Sequence, residues 1–256
     1  MKIITRIIIV LMVLTLTACG GMSKTRKNEI DDKKEAANVN VQLASGYMQR
    51  GQFEIAKEKL LKAIDLDDSY VPAYTTMAVL MNRLGKLDEA ENYYLDALDI
   101  DSNNPELLNN YGTFLCQHKK LEDAKEQFNK AINNQFYTTP HVAHGNLGYC
   151  MMKADNPDYE LAERHLRKAL EANPEMRSSL MAMGELGIKT QRYLMARAYM
   201  QRYHSVARPS ASSLWVQIQA EKALGDQKHL LKLTTRLLDD FPDSVEAGKV
   251  KRAVRR

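Results

Sequence analysis

Charge of a single sign is what this sequence has least of. Its 256 residues carry 36 Lys and Arg against 32 Asp and Glu, and a net +4 is too small to suggest a nucleic-acid binder, which normally shows a clustered basic face. The one basic cluster is the tail GKVKRAVRR, with Lys249, Lys251, Arg252, Arg255 and Arg256. It reads as a solvated helix end favoured by the negative pole of the helix dipole, with contact to anionic lipid as the alternative. Gly-rich phosphate loops, nucleophile elbows and HExxH are all missing. Carboxylates fall on solvent faces or turns such as KLDEAE and KLEDAKE, and none forms an acid–base pair. His118, His165, His204 and His229 are scattered; only His141 and His144 share helical i, i+3 spacing. His144 falls where a packed bulky residue is needed and Thr139-Pro140-His141 starts a helix, so that pair reads as structural. A zinc site of His141, His144 and Cys150 is the enzyme-class alternative. The expectation is therefore no catalysis, no metal, no small-molecule substrate and no cofactor. Period-2 alternation is also missing, which leaves an all-α chain.

What is present begins at the N-terminus. Lys2 and Arg6 precede the apolar run Ile7 to Leu14, which is too short to span a bilayer, since spanning takes roughly 20 residues. A basic start, a short apolar stretch and small residues before a cut make a secretory signal peptide over residues 1–18. The sequence Leu16-Thr17-Ala18-Cys19 resembles the bacterial lipobox, in which the cysteine is lipid-modified and becomes the first mature residue. That resemblance implies a covalent lipid (palmitate) on Cys19. In Gram-negative lipoproteins an aspartate after the cysteine tends to hold the chain in the inner membrane. Gly20 stands there instead, which implies the inner leaflet of the outer membrane, on the periplasmic face. Several acyl chains on one cysteine exceed the marginal affinity of a single chain. Residues 19–36, polar and mixed in charge, read as a flexible tether that becomes helical near its end.

The remainder repeats. The pattern "Ala, three residues, bulky, two residues, Ala" occurs as Ala56/Leu60/Ala63, Ala90/Tyr94/Ala97, Ala124/Phe128/Ala131 and Ala162/Leu166/Ala169, with a weaker copy at Ala196/Met200/Tyr203. The leading alanines are 34, 34, 38 and 34 residues apart. Upstream of each sits a bulky-small pair: Leu43-Ala44, Met77-Ala78, Tyr111-Gly112, Leu147-Gly148 and Met183-Gly184. Gly51 and Gly85 stand where a first helix must end in a left-handed conformation. This is the tetratricopeptide pattern, two antiparallel helices per unit, in which small residues let the helices approach and bulky ones fill the gap. Units are expected at 37–70, 71–104, 105–138, 141–176, 177–210 and 211–243, stacked as a superhelix. The sixth is degenerate, with Leu230 in place of an alanine, and a capping helix with a polar outer face covers 244–256. The interval of 38 reflects Thr139-Pro140 and two extra residues in the DNPDYE turn.

Such an array is a binding scaffold. By repeat phase the groove is lined by Asn38, Val41, Ser45, Met48, Thr75, Val79, Asn82, Arg83, Glu106, Asn109, Thr113, Gln117, Tyr149, Met152 and Lys153. The lining is neutral, which suits an extended or helical segment with apolar anchors, Tyr149 and Met48 being candidates for contact. Cys116 and Cys150 fall at nearly matched heights in neighbouring first helices. In an oxidising periplasm they either form a disulfide or remain two small buried thiols. A bridge closing a loop of about 33 residues would contribute about 3–4 kcal/mol on the loop-entropy model.

The lipobox, a short tether and about six such units resemble the PilF/PilW family of type IV pilus biogenesis lipoproteins, the pilotins. The sharpest local match is NNYGTFLC (Asn109, Asn110, Tyr111, Gly112, Phe114, Leu115 and Cys116), followed by GNLGYC. The resemblance implies a role in helping the pilus secretin reach, insert and multimerise in the outer membrane, with the early units binding the secretin. A general periplasmic adaptor, for example for peptidoglycan enzymes, is the competing reading.

Overall fold

The computed structural model describes residues 18–254, and every regular element among them is an α-helix. Residues 1–17, which the sequence reading assigns to a signal peptide, and the last two arginines lie outside the described residues, as does the side chain of Cys19. The backbone falls into two compact units, the first ending at Ser102 and the second starting at Asn103.

The first unit holds α1 (Ala18–Gln49), α2 (Phe53–Leu66), α3 (Val71–Arg83) and α4 (Leu87–Ile100). α1 and α2 pack against each other, as do α3 and α4. Ala44, Ala56, Ala63, Ala78, Ala90 and Ala97 are fully buried at these crossings, and Leu60, Met77, Leu80 and Met81 fill the space between them. Pro72 sits in the first turn of α3, where its missing N–H costs nothing. Glu54, Asp88 and Glu89 occupy first turns, where the positive helix pole favours them. Two long-range bonds tie the repeats: Tyr70 Oη donates to Asn38 Oδ1 at 3.1 Å, and Arg83 Nη1 to the Met48 carbonyl at 3.4 Å.

Two features depart from expectation. The segment read as a flexible tether is helical, continuous with α1 back to Ala18. No proline interrupts it, and pairs such as Glu29–Lys33 (3.6 Å) match the helical i, i+4 step. Leu43 was expected to fill the gap of its unit, yet it stands 45% exposed while its counterpart Met77 is fully buried. Leu43 belongs to the first helix pair of the described residues, with no described pair before it to cover that side.

The second unit holds α5 (Pro105–Gln117), α6 (Leu121–Ile132), α7 (Pro140–Met151), α8 (Tyr159–Ala172), α9 (Arg177–Lys189) and α10 (Tyr193–Val206). Then follow α11 (Ala211–Leu224), α12 (Gln227–Asp240) and α13 (Val245–Val254). Asn104 caps α5, accepting from the Leu107 N–H at 3.0 Å, and Asp158 caps α8 at 2.8 Å. Ser210 and Ser213 form a reciprocal capping box at α11. Proline opens α5 and α7, whereas Pro174, Pro209 and Pro242 lie in connections between helices.

Helix crossings here are closer than alanine would permit. A Cβ on Gly148 would lie 2.8 Å from Leu166 Cγ and 2.9 Å from the Ala162 carbonyl; on Gly112, 3.2 Å from the Ala124 carbonyl. The turn positions show the converse. Gly51 and Gly85 end their helices at φ 72° and 76°, but Lys119 and Gln191 adopt the same left-handed backbone at φ 61° and 57°. A side chain there costs roughly 1–2 kcal/mol that glycine avoids. Gln191→Gly should therefore stabilise the chain by about 0.5–1 kcal/mol. Gly148→Ala should destabilise it by about 1–3 kcal/mol through overpacking against backbone. Urea unfolding of the two variants, read by far-UV dichroism, should move the midpoint in opposite directions.

Candidate binding site around the disulfide

Residues 109, 113, 116 and 117 share one face of α5, and 146, 149 and 150 one face of α7, by helical spacing. α5 and α7 lie side by side, and their facing residues are covalently and polarly joined. Cys116 and Cys150 are bonded, with Cα atoms 5.8 Å apart. One and two turns toward the N-termini, Asn146 Nδ2 donates to Asn109 Oδ1 at 3.0 Å and to Thr113 Oγ1 at 3.4 Å. Thr113 Oγ1 in turn donates to the Asn109 carbonyl at 2.9 Å. The repeated small-step-and-cysteine stretches are thus one cross-linked ladder.

Beside the disulfide lies a pocket of 380 Å³ lined by Thr113, Cys116, Gln117, Lys119, Phe128, Asn146, Tyr149 and Lys153. Tyr149 is 44% exposed, and Lys153 Nζ sits 4.8 Å from its ring centroid and 4.0 Å from Glu185 Oε2. Lys119, at the rim, reaches Asp155 at 3.5 Å. The arrangement offers an aromatic surface, amide groups and partly engaged cations. It can hold an apolar side chain while amide groups meet a peptide backbone.

Of the residues expected to line a groove, Thr113, Gln117, Tyr149 and Lys153 converge on this pocket. Asn38, Ser45, Val79 and Asn82 are half-buried in the first unit, while Arg83 there and Glu106 at the start of α5 are exposed. Five others are corrected, because they are buried and cannot face a ligand. Val41, Met48 and Thr75 are buried in the first unit, where α1 packs on α3 and α3 on α4. Asn109 is covered by its partner Asn146. Met152, 2% exposed, lies just past the end of α7, where the helical phase no longer holds. Phase counting also missed Asn146, Lys119 and Phe128. Asn146 is the sixth residue of a unit counted from 141, a position that repeat phase does not assign to the groove; its GNLG context beside NNYG is the available signal.

The histidines behave differently from expectation. His144 Nδ1 and His165 Nδ1, on α7 and α8, lie 2.8 Å apart, so one neutral ring donates to the other. Burial, with Lys168 nearby, lowers the His144 pKa; burial, His144 and Lys168 lower His165 to about 4. The zinc alternative fails on Cys150, whose sulfur is bonded to Cys116. Among the described residues no group of three or more His, Cys, Asp or Glu is arranged to hold a metal ion.

Models of the tetratricopeptide repeat match residues 41–105 and 153–212, and a second such model matches 93–126. The type IV pilus assembly protein PilF of Pseudomonas aeruginosa is 29% identical over 240 residues, covering 93% of this chain and 94% of its own length. A solved structure of that PilF superposes with a TM-score of 0.74, spanning 87% of this chain and 99% of PilF. The crystal structure of PilW, described as a widely conserved type IV pilus biogenesis factor, superposes with 0.76 at 28% identity, over 84% and 97% of the two chains. The chain belongs to the PilF/PilW family of tetratricopeptide-repeat proteins. An uncharacterized Haemophilus influenzae protein, 30% identical over 153 residues, covers 59% of this PilF/PilW-family chain and 83% of its own.

Two outcomes follow from the site. Reduction, or the Cys116→Ala/Cys150→Ala double variant, should cost about 3–4 kcal/mol of stability. Thermal unfolding with and without reductant checks this, and the double variant should no longer respond to reductant. The histidine pair makes stability depend on pH. An unfolded histidine titrates near ~6.5, whereas folded His165 titrates near 4. Between these values the unfolded chain binds the extra proton, so stability falls as pH drops through that window and is unaffected above it. Urea midpoints from pH 7 to 4 should fall less steeply in a His144→Gln/His165→Gln variant than in the parent.

Proposed function

We propose that this protein is an outer-membrane lipoprotein scaffold of type IV pilus biogenesis that binds the pilus secretin and promotes its localisation and multimerisation. The observation that carries the reading is the end-to-end match to PilF, a type IV pilus assembly protein, over 93% of the chain. A repeat array of helix pairs acts by binding protein partners rather than by catalysis. The lipid on Cys19 would hold the chain on the inner leaflet of the outer membrane. α1 would then place the helix pairs in the periplasm, where a secretin segment is captured.

Two physical effects would act together. Anchoring raises the local concentration of captured secretin near its insertion site. Binding of an apolar segment, at the Tyr149 pocket or on the first unit, shields a chain that is otherwise prone to aggregate.

The test measures heat-resistant secretin multimers in outer-membrane fractions with the gene, without it, and with Cys19→Ala or Tyr149→Asp versions. Loss of multimers on deletion, with monomers left misplaced, is the expected result. Partial rescue by Cys19→Ala separates capture from anchoring, and reduced rescue by Tyr149→Asp assigns capture to the pocket. Unchanged multimers after deletion would overturn the reading in favour of a general lipid-anchored adaptor.

A further inference from the structure

The last helix pair, which departs most from the repeat, carries surface features the proposed function does not use. α13 closes the core of that pair through Ala247 and Val250, packed on Leu214, Ile218 and Leu237. It is only 10 residues long and leaves a 310 Å³ pocket between α11, α12 and itself. Trp215, Ile218, Leu230, Leu231 and Val250 give that pocket an apolar wall. Trp215 is the chain's one tryptophan, and Leu231 is 69% exposed. A leucine so exposed beside an open cavity gains nothing from folding; it gains only when something covers it.

Charge decides what that something is. The only charged residue lining the pocket is Lys222, and Lys249 Nζ lies 5.2 Å from the centre of the Trp215 ring. Lys228 and Lys232 are exposed on α12 on either side of Leu231 in sequence. The nearby carboxylate of Asp226 is already engaged by His229 at 2.8 Å and Arg197 at 3.3 Å. A neighbouring 310 Å³ pocket also borders Trp215, but there Glu185 and Glu246 stand beside Lys189, so it has no preferred sign.

We infer that the α11–α12–α13 pocket is a second protein-docking site, which takes an apolar side chain of a partner segment flanked by carboxylates. The apolar side chain fills the cavity against Trp215 and Leu231, while Lys222 and Lys249 meet the flanking acids. Apolar burial supplies affinity, and the lysines select the sign of the partner and speed its encounter. The site is independent of the secretin reading, since neither the disulfide pocket nor the first unit takes part.

Trp215 reports directly on occupancy. The intact chain is titrated with a synthetic peptide carrying leucine and phenylalanine between glutamates, and with the same peptide bearing lysines for glutamates. The expected result is a saturable change in tryptophan emission with the acidic peptide alone. Leu231→Asp and the Lys222→Glu/Lys249→Glu variant, all at exposed positions, should each weaken it by about tenfold or more. Far-UV dichroism should show the variants folded as the parent. Equal response to both peptides, or no weakening in these variants, would overturn the proposal. A response to phosphatidylglycerol vesicles but not to the acidic peptide would replace it with a membrane contact. Self-association lost in Leu231→Asp, seen by sedimentation, would replace it with a contact between copies of this chain.

Discussion

The approach of each first helix onto its second is the constraint on which the rest depends. At Gly148 the Ala162 carbonyl and the Leu166 side chain leave no room for a methyl group, and Gly112 faces Ala124 and Phe128 nearly as closely. Close backbone approach lets one bulky residue per pair, Phe128 or Leu166, fill the whole gap and become fully buried. It also sets the rotation of each first helix, and therefore which side chains face its neighbour. A helix pushed outward by one methyl would move every residue on its facing side. The alignment of Cys116 with Cys150, and of Asn109 with Asn146, depends on that setting.

The same constraint explains what the chain tolerates at its turns. Left-handed residues end the first helices of several pairs, and the backbone closes on bonds such as Lys120 N–H to the Leu115 carbonyl at 2.9 Å. Where glycine is absent, at Lys119 and Gln191, the backbone takes the same conformation. Packing of the two helices outweighs the local strain, because each pair buries several apolar side chains against roughly 1–2 kcal/mol of turn cost. At Lys119 the side chain has a compensating use: it stands at the rim of the disulfide pocket.

Periodicity made the helix pairs legible because alanine, glycine and bulky positions answer to a single steric requirement. The site was only half legible. Thr113, Gln117, Tyr149 and Lys153 follow from repeat phase, since α5 and α7 turn matching faces to the same space. Met152 does not, because the phase ends with the helix, and Asn146 does not, because it holds the sixth position of its unit, which phase alone does not assign to the groove. Val41 and Met48 do not for another reason: α1 and α3 pack against each other, and both side chains are buried in that unit. The His144–His165 bond joins residues 21 apart on different helices, and no spacing within one helix reveals it. Leu43 shows the remaining limit. It holds the same repeat position as Met77, yet it stands exposed in the first described helix pair, where no described pair precedes it.

The last helix of the second unit answers a physical demand of its own. A solenoid end must stop stacking, and the usual means is a polar outer face. α13 meets this with Lys249, Lys251 and Arg252, all exposed, yet it leaves Leu231 exposed and Trp215 only partly buried. A longer cap with its apolar residues over Leu231 would have closed the pocket. Lys222 lines it and Lys249 stands over Trp215, while Glu221, the residue before Lys222, is buried against Arg197. A buried carboxylate bonded to an arginine presents no negative field to an approaching acidic group, whereas exposed lysines do attract one. An end built only to prevent further stacking needs no such sorting of charge. An open apolar cavity whose one charged lining residue is Lys222, with Asp226 and Glu221 already engaged nearby, is what distinguishes a docking surface from an unfinished cap.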